Sequence, residues 1–104
     1  MRHYVLKKRV EAVFEAALLG RLTERLDQAN VSGYSILPII AGRGHAASWT
    51  VDGQIRDTGN MVALFCIADP SRVDEIVEVI FATISNQIGF VMISDVLVIR
   101  SERF

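Results

Sequence analysis

MVALFCIADPSRVDEIVEVIFATI, residues 61–84, carries the sharpest structural signals in the chain. Met61 to Ala68 is apolar without a break, the pattern of a strand buried on both faces inside a sheet. Asp69-Pro70 then starts a helix. An aspartate side chain can accept from the first free N–H groups, and a proline in the first turn lacks only an N–H that would have had no partner. Val73, Ile76, Val77, Ile80, Phe81 and Ile84 follow at helical spacing, with Asp74, Glu75 and Glu78 on the opposite side. The segment predicts a central strand running into an amphipathic helix.

Working upstream, Tyr34 to Ile40 reads as a second strand, and Pro38 within it removes a ladder donor, which places that strand at a sheet edge. Leu18, Leu19, Leu22, Leu26 and Ala29 recur at helical spacing, and Asn30 and Gly33 supply the stop. Arg9 to Glu15 alternates, with Arg9, Glu11, Val13 and Glu15 against Val10, Ala12 and Phe14, so it reads as a first strand; Val13 is the apolar exception on the polar side. Downstream, Ser85 to Gly89 breaks the second helix. Phe90 to Ile93 and Val96 to Ile99 read as two short pieces of a last strand, interrupted at Ser94-Asp95.

The order is βαββαβ, the pattern of an α+β ferredoxin-like sandwich. Two helices can cover only one face of such a sheet. The third strand is nevertheless apolar on both faces and the last nearly so, which predicts self-association through the uncovered face.

A chain of 104 residues, 51% of them apolar, suffices for one domain spanning residues 1–104 with a compact core. Eleven Lys and Arg against twelve Asp and Glu leave a net charge of −1, which excludes the basic surface of a general nucleic-acid binder. Cys66 is alone, so it forms no internal disulfide and belongs to no CxxC metal motif; inside an apolar run it reads as a core thiol. No stretch approaches the ~20 apolar residues of a membrane helix. The basic start, Met1 to Lys8, lacks the apolar run of a signal peptide. The expectation is a soluble cytoplasmic protein with no direct membrane insertion.

Gly42 to Gly59 has no apolar periodicity, contains the turn signal Asp52-Gly53, and exceeds the ~12–15 residues beyond which a loop is usually functional or disordered. It opens with Gly42-Arg43-Gly44-His45. Glycines let backbone N–H groups approach an anion, and an arginine fork suits phosphate or carboxylate; a solvated hairpin explains the same residues. Trp49 can stack on a partner or anchor the loop, and His45 reads as a solvent-facing side chain. There is no nucleophile–base pair and no plausible cluster of carboxylates, so no catalytic residue, no metal ligand and no enzyme activity is assigned. An acylphosphatase-like hydrolase would need a phosphate cradle after the first strand, where Glu15-Ala16-Ala17-Leu18 offers neither glycine nor arginine.

Taken together, these stretches resemble the PII signalling proteins. Arg9-Val10-Glu11-Ala12-Val13-Phe14 is similar to the family's first strand, and Val31-Ser32-Gly33-Tyr34-Ser35-Ile36 to the entry of its second. Gly42-Arg43 resembles the opening of its T-loop, the long loop after the second strand; Asp69 to Ile84 resembles its second helix, and Ile93-Ser94-Asp95-Val96 through Ile99-Arg100 its closing strand. The Gly-basic-Gly opening, the short connection before the last strand and the tail Ile99-Arg100-Ser101-Glu102-Arg103-Phe104 are closer to the PII-like branch linked to inorganic carbon, which includes bicarbonate-transporter regulators and carboxysome-associated proteins.

The resemblance implies a homotrimer with an adenine nucleotide in the clefts between subunits and a T-loop that reports ligand state to a bicarbonate transporter or carboxysome-related partner. It implies no cofactor, only regulatory ligands: AMP or ADP, with bicarbonate as co-ligand. It assigns nucleotide contacts to Ser35 at the adenine edge, to Ile67 and Phe90 beside the base, to Gly42, Gly44 and Gly89 through their backbone, and to Arg43, Arg100 and Arg103 at the phosphates. Arg43 and Gly44 would also hold the bicarbonate.

The chain departs from ordinary PII proteins in three places. Gly44 stands where they carry a glutamine that helps hold magnesium and 2-oxoglutarate. No tyrosine lies between Gly42 and Gly59, which excludes uridylylation there. Their glycine- and lysine-rich phosphate loop is reduced to Ser85-Asn86-Gln87-Ile88-Gly89, which favours AMP or ADP over a triphosphate. The alternatives are a structural adaptor without a ligand, or another regulatory ferredoxin-like trimer that binds a different small molecule.

Overall fold

The structure, a computed structural model, describes residues 3–31, 33–43, 48–50 and 60–99, with main chain only at 43 and 48–50. Strand β1 (Val5–Glu15) leads through a 3-10 turn into helix α1 (Leu19–Gln28). Strand β2 (Ser35–Pro38) follows, then a short hairpin of β3 (Ala41–Arg43) and β4 (Ser48–Thr50). Strand β5 (Met61–Ala68), helix α2 (Val73–Ile84) and strand β6 (Gly89–Val98) complete the chain. β2, β5, β1 and β6, in that order, form an antiparallel four-stranded sheet. This is the α+β, βαββαβ ferredoxin-like architecture, with β2 at the edge where Pro38 requires it.

The core lies between the helices and one face of the sheet. Val10, Ala12 and Phe14 of β1 meet Leu64 and Cys66 of β5, Leu22 and Leu26 of α1, and Ile76 and Ile80 of α2. Phe14, Leu22, Leu26, Leu64 and Ile80 are fully buried, and each contributes roughly 1.5–3 kcal/mol of transfer free energy. Cys66 is a free thiol buried in this core. Burial pushes its pKa above the ordinary 9.0, with the Arg72 charge acting weakly against that.

Asp69 caps the second helical segment as its sequence position suggests. One carboxylate oxygen accepts from the Ser71 backbone N–H at 3.2 Å and from its hydroxyl at 2.6 Å; the other accepts from Lys7 Nζ at 3.3 Å. Behind it, Arg72 spans both helices: Nη2 donates to the Ala29 carbonyl at 2.8 Å and to Glu75 at 2.9 Å, and Nη1 to the Asn30 carbonyl at 3.2 Å. These bonds satisfy carbonyls at the end of α1, where Asn30 turns into the left-handed region at φ 63°.

The Ser71 hydroxyl first, then its N–H and Lys7, hold the Asp69 carboxyl below its ordinary 3.8. A carboxyl depressed in the folded state contributes stability above the unfolded pKa and loses it as pH falls through the folded one. Urea midpoints of the wild type and Asp69→Asn should therefore differ at pH 7 and draw together as pH falls from about 3.8 through the lower folded value. A gap that stays constant down to pH 2 would contradict this assignment.

Four expectations from the sequence need correction. The last strand is continuous: Ser94 and Asp95 do not interrupt it, because they pair across β1 with Arg9 and Lys8, and Asp95 accepts from Lys8 Nζ. Phe81 is not a core residue but 57% exposed, because the packed face of α2 runs through Val73, Ile76, Ile80 and Ile84. The first strand begins four residues earlier, at Val5, and the second is only Ser35–Pro38. The hairpin reading of the start of the 42–59 segment agrees with the structure, in which Ala41–Arg43 pairs with Ser48–Thr50.

Candidate functional site

β2 is half the length of β5, and that mismatch makes a groove. Their ladder runs from Pro38 opposite Val62 to Ser35 opposite Phe65, and no described strand continues it beside Cys66–Ala68. Gly33 and Tyr34 diverge from β5 here. With Ser35, Phe65, Cys66 and Ile67 they line a groove of about 320 Å³, within the range of small-ligand sites. Tyr34 is steadied by a 3.2 Å hydrogen bond from its hydroxyl to Asp27, and local desolvation, followed by the Asp27 charge, holds its pKa above 10.0.

The lining combines a ring, an apolar wall, a hydroxyl and a strand edge without a pairing strand. Unpaired ladder groups keep their donor and acceptor capacity. Such a groove suits a flat heteroaromatic group that hydrogen-bonds along one rim.

The expected site residues fall into two groups. Ser35 and Ile67 both line the groove. Gly89 and Phe90 lie on the far edge strand, opposite Phe14 and Val13 of β1, whereas Ile67 is opposite Arg9. Five residues of β1 separate the two levels, roughly 17 Å at 3.4 Å per residue. Gly42 and the backbone of Arg43 follow the Pro38 end of β2, at the same end of the sheet as Gly89. The tail after Val98 leaves from the other end, beside Val5. The Arg43 side chain and Gly44, Arg100 and Arg103 lie outside the described residues, as do His45, the side chain of Trp49 and most of the 42–59 loop.

Gly89 has a local structural reason. A Cβ there would sit 2.6 Å from the Val13 carbonyl oxygen and 3.2 Å from Phe14 Cα. Glycine is thus required for the close approach of β6 to β1, whatever else it does.

Sequence reasoning missed Gly33, Tyr34, Phe65 and Cys66 as lining residues. Phe65 was within reach, since it alternates with Ile67 on one face of β5. The others depend on where β2 stops. Among the described residues there is no cluster of three metal-ligating side chains, and no helix is long and apolar enough to cross a membrane.

Comparison with known proteins agrees with this architecture. CPII, a nitrogen regulatory PII-like protein from Thiomonas intermedia K12, solved with ADP, AMP and bicarbonate, superposes with a TM-score of 0.85 at 21% identity; the match covers 100% of this chain and 98% of that one. The same protein solved with ADP and bicarbonate gives 0.83 at 23% identity, covering 100% and 99%. Its apo form gives 0.73 at 19%, covering 94% and 97%. At these identities the likeness speaks for the fold alone. No protein of curated function matches the chain significantly. A family model does: residues 7–103 match the one described as nitrogen regulatory protein P-II, so the chain belongs to the P-II family.

Proposed function

We propose that this protein is a cytoplasmic, single-domain PII-like sensor of adenine nucleotides, ADP or AMP, with bicarbonate as co-ligand. It works as a homotrimer without catalytic residues, metal or cofactor. Its 42–59 T-loop passes ligand state to a partner, a bicarbonate transporter or a carboxysome-related protein.

The observation that supports this reading is that the candidate residues do not meet within one subunit: Ser35 and Ile67 line the groove beside β5, whereas Gly89 and Phe90 lie across the sheet on the opposite edge strand, β6. A head-to-tail ring of identical subunits brings one subunit's first group to its neighbour's second. Each cleft then has an aromatic and aliphatic groove for the base, with glycine backbone and Arg43, Arg100 and Arg103 for the phosphates. CPII, with the same fold, was solved with ADP, AMP and bicarbonate, which supports the choice of ligands.

Calorimetric titration with AMP, ADP and ATP, with and without bicarbonate, tests the reading. AMP or ADP should bind more tightly than ATP, and bicarbonate should tighten that binding. Arg43→Ala should weaken ADP by about 1–3 kcal/mol, the scale of one charge-assisted contact. An affinity unchanged by Arg43→Ala would remove that side chain from the site. A protein that ignores all adenylates would overturn the proposed function in favour of a ligand-free adaptor.

A further inference from the structure

The sheet face away from the helices has a charged centre. By register it presents Ser35 and Leu37 of β2, Met61, Ala63, Phe65 and Ile67 of β5, Val13 of β1, and Phe90, Met92, Ser94 and Val96 of β6. Leu37 is 44% exposed, Phe90 53% and Met92 44%, and no described element covers them. In the middle of this surface, on central strand β1, stand Arg9 and Glu11. The Arg9 guanidinium lies 3.8 Å above the centre of the Phe65 ring. Its Nε and Nη2 both point to Glu11 Oε1, each at 3.1 Å.

That geometry leaves half of each group unused. Among the described residues, Arg9 Nη1 and Glu11 Oε2 have no partner. The pair is already partly withdrawn from water, with side chains 31% and 17% exposed. The other charges of β1 on this face are Lys7, taken by Asp69, and Glu15 at the strand's end. The face is therefore apolar, electrically balanced, and holds one donor and one acceptor unspent at its centre.

We propose that Arg9 and Glu11 form an inter-subunit charge ring, in which each Arg9 also binds Glu11 of the next copy and so fixes the register and number of subunits. The occupant is a second copy of this chain because the charges are self-complementary. A charged partner of another kind would leave either the guanidinium or the carboxylate facing its like. A cyclic, head-to-tail interface is the arrangement in which a donor of one copy always meets the acceptor of the next. Apolar contact supplies the attraction, while buried ionic groups select one geometry among many greasy alternatives, as polar residues do in coiled-coil seams. The inference rests on the trimer proposed above.

Native mass spectrometry at fixed micromolar concentration, with circular dichroism as a check on folding, tests it. Arg9→Glu puts two negative charges on each face and Glu11→Arg two positive ones. Each variant alone should lose the trimer, with dissociation constants raised at least about 100-fold, as expected when like charges meet across an interface. Mixing the two should restore mixed trimers of 2:1 composition in part, because two of their three seams then join opposite charges while one keeps like charges; a contact confined within one chain would give no such recovery. If either variant misfolds, the double variant Arg9→Met/Glu11→Leu keeps the face apolar and should give a spread of oligomers. Single variants that keep the wild-type trimer, a mixture that recovers nothing, or a double variant with one sharp trimer would each overturn the charge ring alone. A monomeric wild type would overturn the trimer and this inference together.

Discussion

Phe14→Ala is expected to lower the free energy of unfolding by about 3–5 kcal/mol, the cost of emptying a fully packed aromatic site. The ring is 0% exposed and belongs to the one large core cluster, where β1, β5, α1 and α2 converge. Its backbone is held on both sides, by Val62 of β5 and Gly89 of β6, so the central strand cannot shift to refill the space. A small domain has only about 5–15 kcal/mol in total, so this substitution approaches the limit of foldability. Phe81→Ala is the control. The same side chain is lost, but at a position 57% exposed, and the change should stay within about 0.5 kcal/mol, as surface substitutions do. Urea unfolding at fixed protein concentration, without nucleotide, measures both. Equal losses for the two phenylalanines would refute the packing described for α2.

Gly89→Ala should be the next most damaging, at about 2–4 kcal/mol from combined backbone strain and overpacking. The added methyl group would lie 2.6 Å from the Val13 carbonyl oxygen and 3.2 Å from Phe14 Cα and Cβ, none of them the yielding tip of a side chain. The φ of 158° is itself unfavourable for any residue with a Cβ. Relief requires parting the first residues of β6 from β1. Hydrogen exchange should then quicken at Val13 and Phe14 before the rest of β1. A variant as stable as the wild type would show that the β6 entry can relax freely, and would leave any role of Gly89 to ligand binding.

Most of the fold was legible because its signals are local. The unbroken apolar run of β5, the Asp69-Pro70 cap and the heptad-like spacing of α2 each lie within a dozen residues, and Pro38 marked the sheet edge by simple loss of a donor. The errors arose where a distant strand decides. Ser94-Asp95 looks like an interruption until Lys8 and Arg9 are seen opposite. Phe81 fits a helical stripe but falls just outside the arc that faces the sheet. Half of the candidate site was hidden for the same reason. Ser35 and Ile67 could be singled out by likeness to a family, but the groove they line is created by the four-residue reach of β2 against the eight of β5, a fact of register that no window of sequence contains. Arg9 and Glu11 looked like the solvated side of an alternating strand. Their position on a central strand, above Phe65 and among apolar neighbours, gives them a different meaning.

The brevity of β2 has one more consequence. An outer strand of four residues ending in a proline is a poor template for another chain, because it offers few hydrogen-bonding positions and lacks the donor at its last one. Lateral growth into a filament is blocked on that flank. Only the other edge, the ten-residue β6, keeps a long ladder to offer, and one such edge per chain can join two copies but cannot propagate an open-ended stack.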